Sequence, residues 1–209
     1  MSPLLRDGDL SHIGGIAIGA SVGGVEALSL LLPALPQDLA APVFIVLHQP
    51  RDRPSLLVDI FKQKCDLPVR EAEDKEEVEC GTIYFAPPDY HLLVDEGPRL
   101  ALSADDLVHY SRPSIDVLFE SAADIYENRL LGILLTGANE DGAAGMEAIH
   151  RAGGTTVVQE PETALAASMP ASALARTPVD HVLTLDGIAA LLHSLGRASG
   201  REALSPGRR

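Results

Sequence analysis

The sequence predicts an α/β domain: a doubly wound, mainly parallel sheet flanked by helices, with an antiparallel hairpin insertion. Three observations predict it. Uninterrupted apolar runs, Val43-Phe-Ile-Val-Leu47 and Leu130-Leu-Gly-Ile-Leu-Leu135, read as strands covered on both faces. Such runs alternate with helical patterns, and alternation of strand and helix implies parallel pairing through crossover helices. Between residues 67 and 102 the rhythm changes to short alternating segments separated by Pro, Gly and Asp, as antiparallel hairpins read.

In chain order, residues 1–12 are polar and irregular, and Gly14-Gly-Ile-Ala-Ile-Gly-Ala20 reads as a buried strand entering a glycine-rich turn. A helix from Val25 to Leu32 puts Leu28, Leu31 and Leu32 on one face, closed by Pro33 and Pro36. The strand at 43–47 follows, then Arg51 and Arg53, read as solvated charge, and a helix from Ser55 to Gln63. Segments at 69–72, 82–86, 91–94 and 99–102 make up the hairpin region; the acidic stretch Glu71 to Glu77 is an exposed turn. Pro113 to Tyr126 is a helix with Ile115, Leu118, Phe119 and Ala122 on one face. The strand at 130–135, a helix at 141–152, a strand Thr155 to Gln159, a helix Ala171 to Ala175, a strand His181 to Thr184 and a helix Gly187 to Leu195 complete the domain at 13–195. Residues 196–209 read as a flexible tail.

Composition bounds the function. Apolar residues make up 46% of the 209 and aromatics 4%, with no Trp, so the core rests on Ala, Val, Ile and Leu, and a disordered chain is excluded. Sixteen Lys and Arg face thirty Asp and Glu, a net charge of −14 that repels nucleic acid and anionic membranes. No apolar run reaches the ~18 residues of a spanning helix and no basic-then-apolar leader opens the chain, so no membrane insertion and a cytoplasmic location are expected. Cys65 and Cys80 form no Cys-x-x-Cys or Cys/His cluster; reduced packing residues, with no metal and no cofactor, are expected.

Gly19-Ala-Ser21-Val-Gly23-Gly24 lies between a strand and a helix and admits three chemistries. As a dinucleotide cradle it lacks support: none of Tyr84, Tyr90, Tyr110 and Tyr126 has Lys four residues later, and His48 stands where a ribose-binding acid belongs. As Gly-x-Ser-x-Gly it matches a nucleophile elbow. As a plain turn, it would use Ser21 only to cap the helix.

The partners decide. A serine hydroxyl needs a base to take its proton and a carboxylate to orient that base. Ligands of open parallel sheets bind beyond the carboxyl ends of the strands. Ser21 follows the first strand, His48 ends the second, and Asp141 lies in Thr136-Gly-Ala-Asn-Glu-Asp-Gly142 after the strand at 130–135, so all three fall on one edge. The remaining histidines read as solvated or packing residues. His12 precedes its strand, His150 and His193 lie in helices, His91 and His181 start strands at the opposite end, and His109 approaches a helix. The order Ser, His, Asp excludes the α/β-hydrolase class.

The segments Ile16-Ala-Ile-Gly-Ala-Ser-Val-Gly-Gly24, Val46-Leu-His-Gln-Pro50, Ala86-Pro-Pro-Asp-Tyr-His91, Arg112-Pro-Ser-Ile-Asp-Val-Leu-Phe119 and Leu135-Thr-Gly-Ala-Asn-Glu-Asp-Gly-Ala-Ala-Gly-Met146 resemble the catalytic domain of chemotaxis protein-glutamate methylesterases, the CheB family. The resemblance implies a triad of Ser21, His48 and Asp141, hydrolysis of glutamate γ-methyl esters on chemotaxis-type receptors with release of methanol, and deamidation of receptor glutamines. Backbone N–H groups at Val22 and Ala138 are the oxyanion candidates, and Arg112 is a candidate substrate contact. Two residues depart from the family pattern: Val22 stands where Thr is usual, and Ser111 where His is common. Only about a dozen residues precede the first strand, so no receiver domain in cis is expected, and a regulator acting in trans is a candidate partner. The rival reading is a catalytically silent binding module in a receptor signalling complex.

Overall fold

A computed structural model describes residues 10–49, 55–97 and 99–199; Arg51, Arg53, residues 1–9 and those beyond Ser199 lie outside it. Seven strands form one parallel sheet: β1 (Gly15–Ala20), β2 (Val43–Leu47), β3 (Val69–Glu71), β4 (Ile83–Phe85), β7 (Leu130–Leu134), β8 (Thr155–Gln159) and β9 (His181–Leu183). The remaining strands, β5 (His91–Asp95) and β6 (Arg99–Ser103), make a separate antiparallel hairpin. The helices are α1 (Gly24–Leu31), α2 (Leu57–Lys62), α3 (Ile115–Tyr126), α4 (Ala143–Arg151), α5 (Ser168–Arg176) and α6 (Leu185–Ser199).

The period-2 alternation of β1 divides the core. Ile16, Ile18 and Ala20 pack with Leu28 and Leu31 of α1, Phe61 of α2, and Leu191 and Leu192 of α6. Ala17 faces the other way with Phe44 of β2, Leu118 and Phe119 of α3, Met146 of α4 and Met169 of α5. Burying both faces of each central strand explains why β1, β2 and β7 are apolar throughout. On the second face Gly19 lets α3 sit close, since a Cβ there would lie 2.3 Å from Cγ2 of Ile115.

One sequence expectation is corrected. Of the four segments expected to form hairpins, only β5 and β6 pair antiparallel; β3 and β4 pair parallel with each other, and β4 with β2, inside the main sheet. A three-residue strand shows too little pattern to reveal its partner's direction. The acidic turn between them lies against the hairpin, with Lys75 donating to Leu100 and Leu102 donating to Asp74.

The strand order β3-β4-β2-β1-β7-β8-β9 runs outward in both directions from β1 and β7. That reversal opens a crevice beyond their carboxyl ends, the usual ligand position in such sheets.

Candidate active site

Three loops meet at that crevice. Ser21 leaves β1 in a tight turn: its amide donates to the Thr136 carbonyl (2.9 Å), and its own carbonyl accepts from Gly24 (2.8 Å). Gly23 has φ 81, and a Cβ there would come within 2.9 Å of Leu165, so the turn into α1 requires glycine twice over. The Ser21 side chain is half-buried, and its hydroxyl has no hydrogen-bond partner among the described residues.

His48 is placed by register. Ala20 pairs with Leu47 across β1 and β2, and the amide of His48 donates to the Ala20 carbonyl (3.1 Å), so Ser21 and His48 emerge from adjacent strand ends. The imidazole Nε2 lies 2.8 Å from Oδ2 of Asp141. An ionised carboxylate only accepts, so Nε2 carries the proton, and Nδ1 of the neutral ring keeps its lone pair.

Asp141 is fully buried. Its Oδ2 also accepts from the Ile115 amide (2.8 Å), while Oδ1 accepts from the Ser114 hydroxyl (2.8 Å) and the Asp116 amide (2.9 Å). Burial alone would raise this carboxyl, but the bonds from His48 and from the Asp116 and Ile115 amides outweigh it and hold the group below its ordinary value. The carboxylate therefore sits ionised on the N-terminus of α3, whose free amides and dipole favour a negative charge.

The residues around this group extend the network. Ser114 caps α3, and its amide donates to Nδ1 of His91 (3.1 Å). Nδ1 of His91 therefore accepts, which makes Nε2 the donor to the Asp106 carbonyl (3.0 Å) and the ring neutral. His91 starts a strand, as expected, but not at the opposite end: β5 belongs to the hairpin, and the ring bonds the backbone amide of Ser114, the α3 cap itself. Asp116, in the first turn of α3, accepts the amides of Gly142 (2.9 Å) and Gly145 (2.7 Å) on one oxygen and sets the other 3.3 Å from Nε2 of His109. Burial, more than the charge of Asp141, pushes the Asp116 carboxyl up to about 6. His109 turns Nδ1 to Glu140 at 3.3 Å, and Glu140 is otherwise exposed.

Of the other candidates, Val22 and Ala138 are exposed, and their amides donate to nothing among the described residues. Arg112 is bound within the chain: Nε and Nη2 donate to Asp89 (3.1 and 2.8 Å), and Nη1 donates to the carbonyls of Ala104 (2.7 Å) and Asp105 (2.8 Å). Ser111 closes a two-way backbone bridge with Val108. His12, His150, His181 and His193 occupy a 3-10 turn, α4, the start of β9 and α6, as expected.

The sequence assigns Ser114 and Asp116 no role at the site, and His91 and His109, expected as solvated or packing residues, join the network through the α3 cap and Asp116. Ser114 followed two residues later by Asp116 is a helix-start signature, but nothing local says that a carboxylate 25 residues further on shares that cap.

A serine on a strand-to-helix turn, an imidazole at the next strand end and a buried carboxylate on that imidazole's far nitrogen are the residue types a serine hydrolase assembles. The family model described as CheB methylesterase matches residues 16–192, and the chain belongs to that family. A relative from Leptospira interrogans is 46% identical over 176 residues, which is 84% of this chain and 91% of the relative. A Symbiobacterium thermophilum protein named protein-glutamate methylesterase/protein-glutamine glutaminase is 37% identical over 83% of this chain, which spans only 48% of that relative. The crystal structure of the Thermotoga maritima CheB methylesterase catalytic domain superposes with a TM-score of 0.83 at 33% identity, covering 88% of this chain and 98% of that one. Among the described residues no helix is long and apolar enough to cross a membrane.

Proposed function

We propose that residues 13–195 form a serine hydrolase that removes methyl groups from glutamate γ-methyl esters of chemotaxis-type receptors in the cytoplasm, and that the same site deamidates receptor glutamines. The observation that carries this reading is the 2.8 Å contact between His48 Nε2 and Asp141 at the strand ends beside Ser21. It leaves Nδ1 as the base. Ser21 Oγ attacks the ester carbonyl while Nδ1 takes its proton; the tetrahedral oxyanion is met by the Val22 and Ala138 amides, each donor worth about 3 kcal/mol. Collapse expels methoxide, which receives the proton from Nδ1 and leaves as methanol. Water, deprotonated by the same nitrogen, then adds to the acyl-enzyme and releases glutamate and Ser21. With a glutamine side chain the leaving group is ammonia. Asp141 orients the ring throughout and stabilises its positive form. Of the five N–H donors of Arg112 four are used among the described residues, and the fifth is the one that meets substrate in this reading.

The test offers the purified chain receptor membranes carrying labelled methyl esters, and separately receptor fragments with glutamine at the same positions. Labelled methanol from the first and ammonia from the second are expected. Neither product, from protein folded by circular dichroism, overturns the reading in favour of a silent binding module.

A further inference from the structure

Asp141 is not part of a helix or strand: it is the penultimate residue of the loop between β7 and α4, before Gly142. Among the described residues its own amide reaches only the Asn139 side chain, at 3.3 Å. The firm attachment comes one residue later, where the amide of Gly142, at φ 97, donates to Asp116 (2.9 Å), joined by the amide of Gly145 (2.7 Å). Asp116 belongs to the same helix start, Ser114 to Asp116, that grips the Asp141 carboxylate. One rigid frame thus holds both the head of Asp141 and the backbone behind it. Asp116 is also an expensive residue to bury: it is 4% exposed and lies beside a second carboxylate.

We propose that Asp116 is a positioning residue for the hydrolysis, fixing the turn behind Asp141 so that its carboxylate stays on His48 Nε2. The proposal rests on the hydrolase reading above. Asp116 need not be charged for this, because a neutral acceptor serves the Gly142 and Gly145 amides equally. The ionisable groups that face it are Asp141, His109 and Glu120, with Glu140 behind His109 and His48 behind Asp141.

Two variants test it. Asp116→Ala removes the acceptor; Asp116→Asn keeps an oxygen for both amides and turns its NH₂ toward His109. A displacement of about 1 Å at a catalytic group costs on the order of 10²-fold, so Asp116→Ala should lower kcat about 100-fold with KM within threefold, whereas Asp116→Asn should recover kcat to within about fivefold of the parent. The downfield proton resonance of His48 Nε2–H, read by NMR without any substrate, should persist in Asp116→Asn and vanish or move in Asp116→Ala. A folded Asp116→Ala protein with kcat within threefold of the parent and an unchanged resonance overturns the proposal. If Asp116→Ala does not fold, Asp116→Asn decides: the resonance retained with kcat within about fivefold of the parent supports the proposal, and a lost resonance or a larger loss of kcat overturns it. A parent protein without esterase activity instead overturns the functional reading, and the resonance then decides the role of Asp116 alone.

Discussion

Asp116 and Asp141 cap each other's helices: Asp141 accepts the Asp116 amide at 2.9 Å on the N-terminus of α3, and Asp116 accepts the amide of Gly142, the residue after Asp141, at 2.9 Å on the N-terminus of α4. Two buried carboxylates are thereby given helix-end amides in place of water. Their exchange locks α3 to α4 at the edge of the crevice that holds Ser21 and His48.

The adjacent acids Glu140 and Asp141 should behave differently. Asp141→Asn leaves an amide where an acceptor-only group meets Nε2–H, which selects the wrong tautomer and weakens the imidazolium partner. It should lower kcat by roughly 10² to 10⁴. Among the described residues the Glu140 carboxylate pairs with His109 alone, and it is 69% exposed, so Glu140→Gln should cost less than about tenfold. Saturating-substrate rates for both variants decide it, and a larger loss in Glu140→Gln would move the acid to position 140.

Stability should depend on pH through Asp116. Its folded value of about 6 lies above the ~3.9 of an unfolded aspartate, so between pH 4 and 6 the native state holds the extra proton and stability falls as pH rises. Asp141 is shifted downward; its contribution is complete above ~3.9 and is lost only as pH falls further, outside that window. Asp116→Asn removes the first effect. Thermal melts from pH 4 to 7 should show the Tm of Asp116→Asn gaining on the parent as pH rises, and a constant difference would contradict the assignment.

Gly19→Ala should couple packing to chemistry. The added methyl would meet Ile115 Cγ2 at 2.3 Å, which forces α3 away from β1 and costs about 1–3 kcal/mol, or on the order of 5 °C in Tm. Because the Ile115 amide holds Asp141, kcat should fall in the same variant. A stable and fully active Gly19→Ala protein would show that α3 need not sit this close.

The sequence displays the central sheet and the three residues at its edge for the same reason. Strands buried on both faces are written as plain apolar runs; Ser21 and His48 follow two of them directly, and Asp141 lies in the glycine-rich loop after a third. β3 and β4 were legible as strands but not as parallel ones, since three residues carry no signal about their neighbours. Asp116, Ser114 and His91 act through contacts 23 to 29 positions away in sequence, formed only when α3, α4 and the hairpin converge. Each looks locally like an ordinary helix cap, first-turn acid or strand residue.

The central claim is that Ser21 is the nucleophile, and Ser21→Ala tests it most directly. The Ser21 side chain holds no hydrogen bond among the described residues, while the turn depends on backbone bonds to Thr136 and Gly24, so the variant should fold and melt like the parent. Loss of a triad serine costs on the order of 10⁶ in rate. Methanol release from methylated receptor membranes should therefore fall to background in Ser21→Ala. Release at more than a few per cent of the parent rate, from the folded variant, would contradict the account.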